Sequence, residues 1–436
     1  MFLLLLTLTT TLVNANWLQN GTLREAALAQ TRSPSSFSNT SFPTYTINLD
    51  LPPTQRWNDI ASLPKYRALA PAALAYLKKQ IPANVLPLLE TILADVTKYF
   101  GAEFGGEMES LANAFGPPMK LGDIVAMNLI MQLESIGLNC SNWNTTGPTI
   151  PNDPGCTDID PKQVWCYCHN KSRTEEMVSV SSFRQAMNLK KEGPGMCTSV
   201  IAQDTTGKIY HGRNLDWNIP PAVRDMVADI HYQRSGKTVF IGTAVIGFVG
   251  IFNGMIPNVA TVSIDARDKG GKILGNILQM LLHKSITPCQ NMRKVLQDSR
   301  STTFAAVVSG LSSGQQIDQN YFIVGGVKPS EGAIISRDRA KAVDVWYLGR
   351  NATSSHDGWY RLQTNYDHWN PVPKADDRRT PGYQNMDDMG QGTVSKNLFK
   401  DVMHVWPTFN HHTDYTVMMS AGDEQYDSMI WKDVLL

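Results

Sequence analysis

Apolar residues recur at helical spacing from Tyr66 to Phe100, with Pro82 and Pro87 breaking the run, and again from Ile124 to Ile136. That period predicts helices with one buried face, so this half reads as a helical domain with little strand. After Met196 the period falls to two. Thr198 to Gln203 and Lys208 to Gly212 flank Thr205-Thr206-Gly207 and predict a hairpin. Further strands are predicted at Thr238 to Ala244, Val259 to Ile264, Tyr321 to Val324, Ala333 to Ser336, Val343 to Tyr347, Arg361 to Thr364, Tyr415 to Ser420 and Met429 to Trp431. Helices are predicted at Lys272 to His283, Gln290 to Asp298 and Ser395 to Val405. Strand runs mixed with helix pairs predict an α+β fold of sheets layered with helices. The two patterns meet at Cys197.

The ends of the helical half have a different character. Met1 to Val13 reads MFLLLLTLTTTLV, an apolar run too short to cross a bilayer, and Val13-Asn14-Ala15 offers the small residues of a cleavage site. Residues 1–15 are therefore expected to be a signal peptide and 16–41 a polar leader. N-x-[ST] sequons at Asn20, Asn39, Asn139, Asn144, Asn170 and Asn351 agree with export. The division then runs 42–137 for the helical domain, 138–196 for a turn-rich insertion and 197–436 for the strand-rich domain. Hydrophobic content of 42% and charged content of 18% exclude a disordered chain, and equal numbers of acidic and basic residues remove the electrostatic case for nucleic acid.

Four of the six cysteines, Cys140, Cys156, Cys166 and Cys168, lie in the insertion, where disulfides would staple a segment with little core. Cys166 and Cys168 are too close to bond each other easily, so each takes one of Cys140 and Cys156, in either combination. Zinc is the weaker reading of Cys166-Tyr167-Cys168-His169, since no second C-x-x-C is present. Cys197 and Cys289 remain. The latter reads as a buried small hydrophobe.

A hairpin centred between Thr205 and Thr206 pairs residues whose numbers sum to about 411, placing Cys197 opposite Asn214 with Arg213 and Asp216 close by. An arginine beside a thiol favours the thiolate. A nucleophilic cysteine also needs a base. His211 lies three residues from Asn214, on the opposite strand face. Cutting the chain before Cys197 would instead supply its own α-amine as the base.

Cys197-Thr-Ser-Val-Ile-Ala-Gln-Asp204, His211-Gly-Arg-Asn-Leu-Asp216, Thr364-Asn-Tyr-Asp-His-Trp369 and Asp376-Asp-Arg-Arg-Thr380 resemble the acid ceramidase family. That family includes the N-acylethanolamine-hydrolysing acid amidases and belongs to the N-terminal-nucleophile hydrolases. Tyr45 to Pro53 and Tyr415 to Gly422 match it too, so the resemblance spans most of the chain in order. It implies a four-layer αββα sandwich with the helical part as a retained, cleaved N-terminal subunit, here the α subunit. Cys197 would be the nucleophile for self-cleavage and turnover. Arg213 and Asp216 would position the amine and substrate, Asn365 would donate to the oxyanion, and Arg378 would brace the site. No cofactor or metal is implied. The substrate would be a fatty-acyl amide in a lysosomal or secreted setting, with room for a peripheral membrane or lipid-activator contact. Ethanolamides are the first expectation; ceramide and an unprocessed, inactive lipid-binding glycoprotein stand beside it. Two departures are notable. Ala266 stands where many members carry Glu, leaving Asp265 or Asp268 as substitutes, and the insertion separates the Glu134-containing helix from the nucleophile.

Overall fold

A computed structural model describes residues 38–78, 96–133, 156–160, 165–168, 176–178, 196–217, 219–267, 285–349, 358–373, 376–410 and 412–432. The signal peptide, most of the polar leader, Glu134, Cys140, Asp268, the Lys272 to His283 helix and the sequons at Asn20, Asn139, Asn144, Asn170 and Asn351 lie outside them.

Seventeen strands are described. β1 (Ser38–Thr40) and β2 (Thr44–Asn48) precede the helices; β3 (Cys156–Asp160), β4 (Trp165–Cys168) and β5 (Glu176–Val178) lie in the insertion. The rest follow the insertion: β6 (Met196–Gln203), β7 (Ile209–Asp216), β8 (Val227–Arg234), β9 (Lys237–Val245), β10 (Asn253–Ile256) and β11 (Ala260–Ala266). After these come β12 (Asn320–Gly325), β13 (Gly332–Arg337), β14 (Ala342–Tyr347), β15 (Tyr360–Gln363), β16 (Thr413–Ser420) and β17 (Gln425–Lys432). The longer helices are α1 (Pro64–Lys78), α2 (Val96–Phe115), α3 (Leu121–Leu133), α4 (Pro288–Gln297), α5 (Phe304–Ser312) and α6 (Arg379–Met389).

Two large sheets face each other. One has the order β1-β17-β16-β7-β6-β15, the other β14-β13-β12-β11-β10-β9-β8-β2. Alternation explains what lies between and outside them. On β6 and β7, Ile201 and Ile209 join Tyr321, Ile323 and Ile334 of the second sheet. Their neighbours Val200, Ala202 and Tyr210 point the other way, onto Met386 of α6 and Leu398, Val402 and Met403 of the π-helical turn Leu398–Met403. Helices α4 and α5 cover the outside of the second sheet. A capping box of Thr287 and Gln290, with Pro288 in the first turn, starts α4. The layers are therefore αββα, as the resemblance implied.

The segment before the insertion does more than stack helices. β2 pairs in parallel with β8, and β1 runs antiparallel to β17, so this segment adds an edge strand to each sheet. In the insertion, the backbone of β3 and β4 places Cys156 opposite Cys168 in register.

Strands β2, β8 and β10 and helices α5 and α6 have no clean period in the sequence. β8 buries Val227, Ala228, Asp229 and Ile230 in succession, which erases the alternation there, and α6 follows what reads as a solvated charge run.

Candidate active site

Cys197 is the second residue of β6 and is buried. The β6–β7 register differs by one from the expectation: Cys197 faces Leu215 and Thr198 faces Asn214. The turn is responsible. Asp204 Oδ1 accepts from the backbone N–H of Thr206 and Lys208, at 2.8 and 3.0 Å, and Gly207 adopts φ +91°. The turn therefore spans 204–208 and centres on Thr206 rather than before it. One residue of slip exchanges the faces. His211 consequently shares a face with Cys197, Ser199 and Arg213, while Asp216 lies on the other. His211 still does not serve Cys197: it sits further along the strand, bonded to Thr261 Oγ1 and Ser263 Oγ at 3.0 and 2.9 Å. Burial holds it neutral, with its pKa pushed down to about 3.

Arg213 reaches the sulfur from the inter-sheet face, its Nη2 lying 3.5 Å from Cys197 Sγ. The guanidinium is fixed by donation to Tyr415 Oη at 2.7 Å and to the Ile264 carbonyl at 3.1 Å. Tyr415 in turn donates to Asn253 Oδ1 at 2.9 Å.

From the other side come Asn365 and Arg378. Asn365 Oδ1 accepts the Cys197 backbone N–H at 2.8 Å and Arg378 Nη2 at 2.7 Å. Its amide nitrogen spends one hydrogen on the Ala266 carbonyl at 2.9 Å and keeps a second to donate. Arg378 also donates to the Cys197 carbonyl and to Thr198 Oγ1. Asp376 grips it through both carboxylate oxygens, at 2.6 and 2.8 Å. Far from being a solvated run, Arg378 and Arg379 are buried. Arg379 donates to the carbonyls of Tyr366, Asp367, His368 and Asn370 and so locks the loop that carries Asn365.

Asp216 stands one layer back. Its oxygens accept from Asn410 Nδ2 and Thr413 Oγ1 at 3.0 and 2.7 Å, and it lies 3.8 Å from Arg378. The five sequence-derived residues thus converge, with Asp216 beside Arg378 rather than on the sulfur. Asp376, Tyr415, Asn253 and Asp265 complete the setting. Asp376 and Tyr415 stand in quoted motifs, Asp376 two residues before the arginine it grips; Asp265 adjoins Ala266, and Asn253 has no local signature. Ala266 contributes its carbonyl.

Burial pushes the Cys197 thiol up to about 12, against the opposing pull of Arg213. Several buried carboxyls are also pushed up by desolvation: Asp216 and Asp229 to about 6, Asp265 to about 7 and Asp414 to about 8. Values raised above the unfolded carboxylate range stabilise the fold at low pH. That contribution is lost as pH rises through 6 to 8. The Cys197→Ala chain, which stays uncut, is expected to melt at a higher temperature at pH 5 than at pH 8. Differential scanning calorimetry checks this; a higher midpoint at pH 8 would refute it.

Among the described residues no cluster of metal-ligating side chains occurs, and no helix is long and apolar enough to cross a membrane.

The family described as linear amide C–N hydrolases, choloylglycine hydrolase family, matches residues 197–405. Residues 40–100 match the family described as the beta subunit of N-acylethanolamine-hydrolyzing acid amidase. The N-acylethanolamine-hydrolyzing acid amidase of Rattus norvegicus is 41% identical over 246 residues, covering 56% of this chain and 66% of the relative. The Cavia porcellus protein of the same description is 38% identical over 256 residues, covering 57% of this chain and 70% of the relative. The acid ceramidase of Mus musculus is 26% identical over 405 residues, covering 88% of this chain and 85% of the relative.

Proposed function

Since this chain belongs to the family of N-acylethanolamine-hydrolyzing acid amidases and acid ceramidases, we propose that it hydrolyses fatty-acyl amides, N-acylethanolamines first among them, with Cys197 as an N-terminal nucleophile. The observation that carries this reading is the placement of Cys197. Its sulfur meets Arg213 while its backbone nitrogen is held by Asn365.

Maturation is an N-to-S acyl shift. Cys197 Sγ attacks the carbonyl carbon of Met196, and the thiol proton ends on the departing Cys197 nitrogen. Water then hydrolyses the thioester, leaving a Met196 carboxylate and a free Cys197 amine and thiol. That amine stays on Asn365 Oδ1, and the nearby Arg213 and Arg378 charges favour its neutral, proton-accepting form. In turnover the amine takes the thiol proton and sulfur attacks the acyl carbon. The spare Asn365 N–H is available to the oxyanion, where one donor contributes about 3 kcal/mol. The ammonium returns its proton to the leaving nitrogen, and water releases the fatty acid. The cut N-terminal part remains as a non-covalent subunit in an exported, acidic lysosomal or secreted setting; the carboxyl values above favour low pH.

The runner-up, ceramide hydrolysis, draws support from the acid ceramidase alignment over 88% of this chain. Purified protein held at pH 4.5–5 and given N-palmitoylethanolamine or ceramide should release fatty acid faster from the ethanolamide. Release from ceramide alone would overturn that preference. A chain that stays whole and cleaves neither substrate would favour the unprocessed glycoprotein.

A further inference from the structure

Beside the Cys197 site lies a buried carboxyl that this chemistry does not use. Asp265 on β11 is fully buried; its Oδ1 accepts from Ser199 Oγ at 2.9 Å and stands 3.8 Å from Arg213 Nε. Asp265 Oδ2 and Arg213 Nε have no hydrogen-bond partner among the described residues. The titratable and charged groups around Asp265 are Arg213 from β7, with Asp216 on that strand's far face, Cys197 and Ser199 from β6, Ser263 with His211 behind it, Tyr321 opposite it on β12, and Arg378 from the turn before α6. One guanidinium is therefore shared between a sulfur and a carboxyl.

The hydrogens at the site allow two charge states. Ser199 Oγ lies 3.1 Å from Ser263 Oγ, which meets His211 Nε2 at 2.9 Å, and His211 Nδ1 meets Thr261 Oγ1 at 3.0 Å. Each hydroxyl has one hydrogen to give. With Asp265 protonated, the row runs from Asp265 to Ser199, to Ser263, to His211 Nε2, and from Nδ1–H to Thr261. With Asp265 ionised it runs in reverse, from Thr261 to Nδ1 and from Nε2–H through both serines to the carboxylate. Every contact carries a hydrogen in both senses. The fold thus accommodates either charge at Asp265 with one tautomer change at a neutral imidazole.

We propose that Asp265 is a positioning residue that governs how much of the Arg213 charge reaches the Cys197 sulfur. Ionised, the carboxylate holds the guanidinium and repels a thiolate. Protonated, it leaves the guanidinium to the sulfur. Its raised value, about 7, puts the change inside the range an exported protein meets. The inference rests on Cys197 being the nucleophile and adds the group that ties its reactivity to pH.

The test is the rate at which iodoacetamide modifies Cys197 in the full chain, read as the alkylated Cys197 peptide by mass spectrometry from pH 5 to 8.5. Wild type and Asp265→Asn should react alike at pH 5, where neither carries a charge at this position. At pH 8 the variant should react about tenfold faster, one unit of thiol acidity. A ratio independent of pH overturns the proposal, because a purely structural effect would act equally at both ends. Should Asp265→Asn not fold, Ser199→Ala keeps the carboxyl but removes a donor to its ionised form. That variant should exceed wild type near pH 7 and match it at pH 5 and 8.5; identity throughout would also overturn the proposal. Alkylation needs no lipid. A protein that hydrolyses no amide yet shows the expected ratio refutes the proposed activity and keeps Asp265, and a working amidase with a flat ratio does the reverse.

Discussion

Cys197→Ala is expected to yield a folded chain that stays in one piece and hydrolyses no lipid amide. The sulfur would serve both the break before residue 197 and the acyl transfer that follows, so both reactions fail together. Loss of turnover should be at least about 10⁴-fold, the scale seen when a nucleophile that acts as part of a unit is removed. Folding should survive, because the contacts that fix this residue are made by its backbone: its N–H to Asn365 and its carbonyl to Arg378. Gel analysis after acidification, N-terminal sequencing of the large fragment and a fatty-acid release assay check all three points. A fragment beginning Ala-Thr-Ser-Val from the variant would mean that another protease makes the cut.

The second large effect concerns what would hold the N-terminal segment in place after the proposed cut before Cys197. Glu107 on α2 is fully buried and takes both Arg293 nitrogens, Nη1 and Nη2, at 2.5 and 2.6 Å. It also accepts from Arg56 Nη1 and Trp57 Nε1, each at 2.9 Å. Arg293 belongs to α4, beyond the cut, and also donates to the Val249 carbonyl at 2.7 Å. Asn128 on α3 adds bonds to Gly247 and Val249. Glu107→Ala strands a fully buried guanidinium, at a cost of about 3–5 kcal/mol. The variant should unfold at lower urea and lose its N-terminal fragment on size exclusion after cleavage. Glu107→Leu combined with Arg293→Met should regain much of that loss, because no unpaired charge remains. An unchanged urea midpoint in Glu107→Ala would show that the strand pairs β1–β17 and β2–β8 suffice. The Arg293 charge holds the Glu107 carboxyl below the usual carboxylate range. Its contribution is therefore complete at pH 5 and is lost only as the pH falls through that lowered value.

The sequence by itself determined the strand-rich second half and the α+β class, because alternation and turn residues are local properties. It also placed Arg213 near the thiol, since a hairpin joins residues sixteen apart with little freedom. The hairpin pattern did not determine the register, which an Asp204 side chain and a glycine at positive φ set by moving the turn half a residue and exchanging the strand faces. Asn365 and Arg378 are implied by motif resemblance alone, since no local period places either beside the thiol. Packing brought them from 168 and 181 residues away onto the Cys197 backbone. The Glu107–Arg293 clamp and the Asp265 row were silent in the sequence for the same reason. A buried polar group is defined by its partners, and here those partners come from strands and helices that meet only when the layers close.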